Sequence, residues 1–162
     1  MNEFRASRRA RIAAAFALLP LLSCAIAAVA AEAGKIDFYP VDNPPKGVTL
    51  PFSEAVHAGD MLYLAGMIGT DASGKLAAGG IKPEAKQTMD NIAASLKKHG
   101  ASIDRLVQCT VALADMADWP AFNEVYRGYF KEHFPARMAY GANGLALGAR
   151  VEVQCNAYVG SR

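Results

Sequence analysis

The chain is poor in the residues that hold metals. Its 162 residues include three cysteines and three histidines. There is no CxxC pair and no Cys/His cluster at ligand spacing, which argues against a metal site. His57, His99 and His133 are far apart in sequence and sit in unrelated contexts. The chain is also poor in net charge. Its formal charge is +2, but residues 1–30 hold Arg5, Arg8, Arg9 and Arg11 against Glu3, a net +3, so the remainder carries −1. A remainder so balanced offers no basic face for nucleic acid.

What the first thirty residues do contain is a secretory leader pattern. A basic head, Met1 to Arg11, precedes an apolar run rich in Ala and Leu, and AAVAAEA ends it with small residues at peptidase spacing. Cleavage after Ala30 or Ala31 makes residues 1–30 a signal peptide and sends the rest out of the cytoplasm, secreted or periplasmic, with no membrane contact. The run is also long enough to span a bilayer, so an uncleaved anchor is the alternative. Ser7-Arg8-Arg9 lacks the aromatic of a twin-arginine signal, and Leu21-Leu22-Ser23-Cys24 is a poor lipoprotein box. The remaining chain of about 130 residues makes one domain with a modest core. Cys109 and Cys155 each sit inside a β-like run. Export invites a disulfide between them, while two small buried thiols fit the pattern equally.

Residues 31–48 read as an extended N-terminal segment, and Glu32 to Pro51 is linker-like, with four prolines. Phe52 to His57 and Met61 to Met67 read as a hairpin around His57-Ala58-Gly59-Asp60. Pro83 to His99 is a helix with Ala85, Met89, Ile92 and Leu96 on one face, and Gly100 past its end. Leu106 to Leu113 is a strand with Val107, Cys109, Val111 and Leu113 on one side. A second helix starts at Asp118-Trp119-Pro120, with Asp118 as N-cap and an apolar stripe of Phe122, Val125, Tyr126, Tyr129 and Phe130 that reads as core packing. Arg137 to Ala142 and Val151 to Val159 are the last strands. The order β-β-α-β-α-β-β reads as α+β, a mixed sheet with two helices on one face. The uncovered face is commonly covered by oligomerising.

The segments LPFSEAV, MLYLAG, NIAASLKKHGASIDRLVQCTVALADMADWPAFNEVYRGYF, FPAR and VEVQ, in this order, resemble the RidA/YjgF reactive-intermediate deaminase family. The most specific pieces are Asn123-Glu124-Val125-Tyr126, Phe130, Pro135-Ala136-Arg137 and the glutamate fifteen positions later, Glu152. The resemblance makes residues 49–162 the family domain. It implies a chorismate-mutase-like fold, a homotrimer with clefts between subunits, hydrolysis of enamines and imines to 2-keto acids and ammonia, and no cofactor. Arg137 then holds the substrate carboxylate and Glu152 handles the attacking water. Phe52, Gly66, Met67 and Ala139 fall at substrate-binding positions.

The residue types fit this chemistry. A guanidinium is a planar donor fork that grips a carboxylate bidentately, and a carboxylate beside a C=N carbon can orient or deprotonate water. Read without the family, Arg137 and Glu152 fit a structural salt bridge across neighbouring strands equally well. Five positions depart from the family pattern. Phe52 replaces a tyrosine, Ala65-Gly66-Met67 replaces Ser-Gly-Gln, Ala139 replaces Cys or Thr, and Gln154 replaces a second acid. The resulting pocket is less polar and suits a bulkier, more apolar carboxylate. The alternative function is a non-catalytic trimeric binder of small carboxylates or a stress-related holding protein. Endoribonuclease activity, known for some relatives, is disfavoured by the charge balance.

Overall fold

The alternation in VEVQCNAY produces a strand, β7 (Val151–Tyr158). Val151, Val153, Cys155 and Ala157 are buried, and Glu152, Gln154 and Asn156 lie half-buried on the opposite side, as a period of two requires. The computed structural model describes residues 35–160 except 43 and 45. The expected leader and Cys24 lie outside the described residues. Before β7 come β1 (Ile36–Pro40), β2 (Ser53–Ala58), β3 (Met61–Leu64), β4 (Met67–Ile68), α1 (Ile81–Lys98), β5 (Leu106–Leu113), α2 (Trp119–Arg127) and β6 (Ala136–Gly141).

The strands form one mixed sheet in the order β1-β2-β3-β7-β5-β6, with β4 also paired to β7. Among them only β5 and β6 run parallel. Met89, Ile92, Leu96 and Phe122 from the helices pack in one core with Leu62, Val111, Val153 and Cys155 from the sheet. The fold is therefore α+β with both helices on one face, as expected.

Helix α1 begins at Ile81, two residues earlier than the proline suggests. Pro83 then falls in the first turn, where its missing N–H has no intrahelical partner to lose. Gly100 follows the helix with φ 80°, a left-handed conformation that glycine adopts without strain. On the adjacent inner strands β5 and β7, Cys109 and Cys155 stand opposite each other in register and are joined by a disulfide. This decides between the two readings of the cysteines. The bond closes a loop spanning 46 positions, which in the chain-entropy account stabilises the fold by about 4 kcal/mol.

Several sequence expectations need correcting. The linker-like segment contains β1, paired antiparallel to β2. The expected strand Met61 to Met67 is two strands, β3 and β4, interrupted at Ala65-Gly66. Val107 is exposed rather than buried, because a register shift between Leu106 and Gln108 bulges it out of the β5 ladder. Helix α2 stops at Arg127, so Tyr129 and Phe130 lie beyond it. Asp118 makes no side-chain cap. Its carboxylate instead pairs with Arg150 at 2.7 Å.

Candidate functional site

Arg137 sits at the second position of β6, the last strand of the sheet. Pro135 is buried, and its ring fixes the backbone angle from which the strand departs. In register Arg137 lies beside Cys109, which faces Cys155. Residues in such a row point to one side of a sheet, so Arg137 is on the helix-covered side, at its rim. There α2 presents Trp119, Phe122 and Tyr126, spaced i, i+3 and i+7 and hence on one helix face. The guanidinium carbon lies 4.6 Å from the Tyr126 ring centre, 5.4 Å from Trp119 and 5.9 Å from Phe122, within cation–π range of all three. Burial pushes the Tyr126 phenol up to about 12, against the pull of the Arg137 cation. The ring under the guanidinium is therefore neutral at any physiological pH. Arg137 opens on a cavity of about 580 Å³ that Asn123 and Phe134 also line.

Glu152 is positioned by different means. Its strand begins where the Glu84 carboxylate, buried on α1, accepts the backbone N–H of Arg150 at 2.6 Å and of Val151 at 3.3 Å. These bonds fix the two residues immediately before Glu152. The glutamate side chain then lies across the gap between β3 and β4. A methyl group on Gly66 would overlap its Oε1, so only glycine leaves this room. The gap is kept open partly by Gln154, whose amide donates to the Leu64 carbonyl at 3.0 Å. Glu152 lines a cavity of about 540 Å³ with Phe38, Phe52, Tyr63 and Gly66.

The two charged groups do not meet within one chain. Cys155 and Glu152 are three positions apart on β7, so Glu152 projects from the open face while Arg137 belongs to the helix side. The cross-strand salt bridge is thus ruled out. Strands β6 and β7 flank β5 on opposite sides, and the side chains diverge. Each charge is half-buried, and neither has an ionic or hydrogen-bonding side-chain partner among the described residues. The other expected positions divide between these places. Phe52 and Gly66 border the Glu152 cavity. Met67 is in register with Val153, faces the helix side and lines a neighbouring cavity against α1 that Phe52 and Gly66 also border. Ala139 follows Arg137 by two on the same side of β6 and packs on the core.

A family model described as endoribonuclease L-PSP matches residues 44–159. The 2-iminobutanoate/2-iminopropanoate deaminase of Homo sapiens is 42% identical over 115 residues, covering 70% of this chain and 84% of the human protein. The chain belongs to the endoribonuclease L-PSP family, also called RidA/YjgF. A RutC family protein of Pyrococcus horikoshii is 38% identical over 118 residues, 72% of this chain and 93% of the relative. The crystal structure of RidA from an Antarctic Psychrobacter superposes with a TM-score of 0.66 at 29% identity, covering 79% of this chain and 99% of the other.

Within this RidA/YjgF domain, the sequence did not single out the aromatic seat of Arg137 or the Phe38 and Tyr63 walls beside Glu152. The spacing of Trp119, Phe122 and Tyr126 carried the first signal, though it reads equally as core packing, which Phe122 and Tyr126 also provide. Among the described residues no helix is long and apolar enough to cross a membrane, and no group of His, Cys, Asp and Glu is arranged to hold a metal.

Proposed function

We propose that the protein hydrolyses 2-imino acids and their enamine tautomers to 2-keto acids and ammonia, at a site that two copies of the chain complete. The observation that carries this is the placement of Arg137 and Glu152 as unpaired, half-buried charges on different surfaces of one chain. A half-buried charge is costly without a partner. A small zwitterion-like substrate supplies both: its carboxylate fits the Arg137 fork, and its C=N carbon takes the water that Glu152 orients.

The two half-sites differ in chemistry and lie on different surfaces, so a head-to-tail contact between copies joins them, and where its rotation closes such a contact makes a ring. Met138 and Tyr140, 59% and 47% exposed on the β6 half of the open face, are apolar surface for that contact. The family resemblance makes the ring a homotrimer with three equivalent clefts. Water adds to the C=N carbon as Glu152 accepts its proton. Glu152 passes that proton to the nitrogen, giving the tetrahedral carbinolamine, then takes the carbinolamine hydroxyl proton and delivers it to the nitrogen as the C=O forms and ammonia leaves. The net change is R–C(=NH)–COO⁻ + H₂O giving R–CO–COO⁻ + NH₃. The imine is already electrophilic, so positioning supplies much of the acceleration. Backbone groups near Gly66 and Ala139 hold the amine end, by analogy with the family.

Export remains part of the proposal. The buried Cys109–Cys155 disulfide supports a secreted or periplasmic location, because such bonds persist in oxidising compartments. The net −1 outside the leader and the carboxylate in the cavity speak against an endoribonuclease role, because both are ill-suited to phosphates.

The test generates imines in place with an amino-acid oxidase plus catalase and follows keto-acid or ammonia release. Wild-type protein accelerates release, and Arg137→Ala does not. Equal rates for the two end the proposal. A binder without turnover is the second reading, favoured by Phe52, which brings a ring without a hydroxyl to the cavity. Calorimetry that finds Arg137-dependent binding of 2-keto acids, with no turnover of any imine, selects it.

A further inference from the structure

The walls of the Glu152 cavity carry more information than its charge. Phe38 projects from β1, Phe52 from the residue before β2, and Val56 and Tyr63 from the paired strands β2 and β3. Phe38 and Val56 are register partners, as are Val56 and Tyr63, so three apolar side chains form one continuous row across three strands. Phe52 closes the end of this row. Phe38 and Phe52 are 67% and 54% exposed, although large apolar side chains this open to water are worth burying. The cavity holds about 540 Å³, within the range of pockets that take drug-sized ligands and roomier than a three- or four-carbon acid needs. Its one charged group is Glu152, at the end where the C=N carbon is attacked.

We infer that this site takes 2-imino acids with an aromatic or large branched apolar side chain in preference to those with a methyl or ethyl group. This rests on the function proposed above and specifies its substrate class. With the carboxylate on Arg137 of a second copy and the imine carbon beside Glu152, the remaining substituent points along the Phe38–Val56–Tyr63 row. Side-chain contact there is made in the transition state as well as on binding. Apolar pockets discriminate between substrates by about tenfold to two-hundredfold per methylene-sized difference, so a benzyl or isobutyl group against a methyl group gives at least about a tenfold preference in kcat/KM. The same contact extends to the keto-acid products.

The experiment has two arms. In the first, amino-acid oxidase converts phenylalanine, leucine, 2-aminobutyrate and alanine to their imines, and kcat/KM is compared for wild type and Phe52→Ser. Phe52 is exposed, so its replacement leaves the core intact. The expected result is a preference of tenfold or more for the phenylalanine and leucine imines over the alanine imine, and a smaller ratio between them in Phe52→Ser. In the second arm, calorimetry compares 3-phenyl-2-oxopropanoate with pyruvate. Tighter binding of the phenyl compound, weakened by Phe52→Ser, is expected. Faster turnover of the alanine imine, or equal turnover of all four, overturns the inference and leaves the deaminase reading standing. No turnover of any imine, with the phenyl compound still bound preferentially, overturns the deaminase reading and upholds the ligand class. No preference in either arm removes the inference outright.

Discussion

Arg137 and Glu152 are held in place by opposite devices. The cation is seated on three aromatic rings from α2, at 4.6 to 5.9 Å. The anion lies over Gly66, where a side chain is missing. Rings grip a guanidinium face and leave its N–H edge free for a carboxylate, while an absent side chain gives a carboxylate access without offering it a counter-ion. One half-site is built by adding apolar mass, the other by removing it. In both, the group is oriented but its charge is left unspent.

This contrast sets the sizes of the expected effects. The largest is Arg137→Ala, which removes the carboxylate grip and lowers kcat/KM for imine hydrolysis by about a hundredfold to a thousandfold. Steady-state kinetics on oxidase-generated imines measures it, and a loss under tenfold breaks the assignment. Next is Gly66→Ala. The added methyl displaces Glu152 while leaving Arg137 untouched, so kcat falls by about a hundredfold with KM nearly constant. An unchanged kcat would mean that the Glu152 position is irrelevant to the chemistry. Smaller again is Trp119→Leu. It takes away one ring of the seat, worth about 0.5 to 2 kcal/mol, and raises KM more than it lowers kcat. A pure kcat effect would contradict a seat that acts through substrate binding.

The smallest effect is on stability and pH. Glu54, on β2, lies among Lys98, Ser95 and His99. Burial acts to raise its carboxyl, but the hydrogen bonds from Lys98 and Ser95 outweigh it and hold the carboxyl below its ordinary 4.5. A depressed carboxyl contributes stability that is complete above about 4.5 and is lost as pH falls through the lower folded value. Thermal midpoints recorded from pH 6 to pH 3 therefore separate wild type from Lys98→Ala at the upper end and converge at the lower. A constant gap across that range would deny the pair its role.

The fold was largely readable because its central elements obey one period each. Strand β7 alternates strictly, α1 repeats its apolar residues at helical spacing, and both were assigned from the residues. Strand β1 escaped because Pro40 and the nearby prolines look like linker, yet Pro40 only ends an edge strand, where a proline is tolerated. The break at Ala65-Gly66 hid inside a continuous apolar alternation, with the glycine as its one sign. Val107 was assigned to the wrong side because a bulge depends on the partner strand. Register explains the rest. Without it the sequence left Cys109 and Cys155 open and allowed Arg137 to pair with Glu152. Once β5 is known to lie between β6 and β7, the cysteines must face each other and the two charges must diverge. The family resemblance supplied the candidate residues; only the sheet order reveals that one chain holds them apart.

The most direct test of a site shared between copies is to mix two inactive variants. Arg137→Ala and Glu152→Gln are each purified, then co-refolded in equal amounts so that assemblies exchange subunits. Where one copy contributes the arginine and its neighbour the glutamate, random assembly leaves about a quarter of the clefts with both native groups, and activity returns to about a quarter of wild type. If mixed assemblies form but activity stays at the level of the separate variants, both groups act from the same chain and the shared site is refuted.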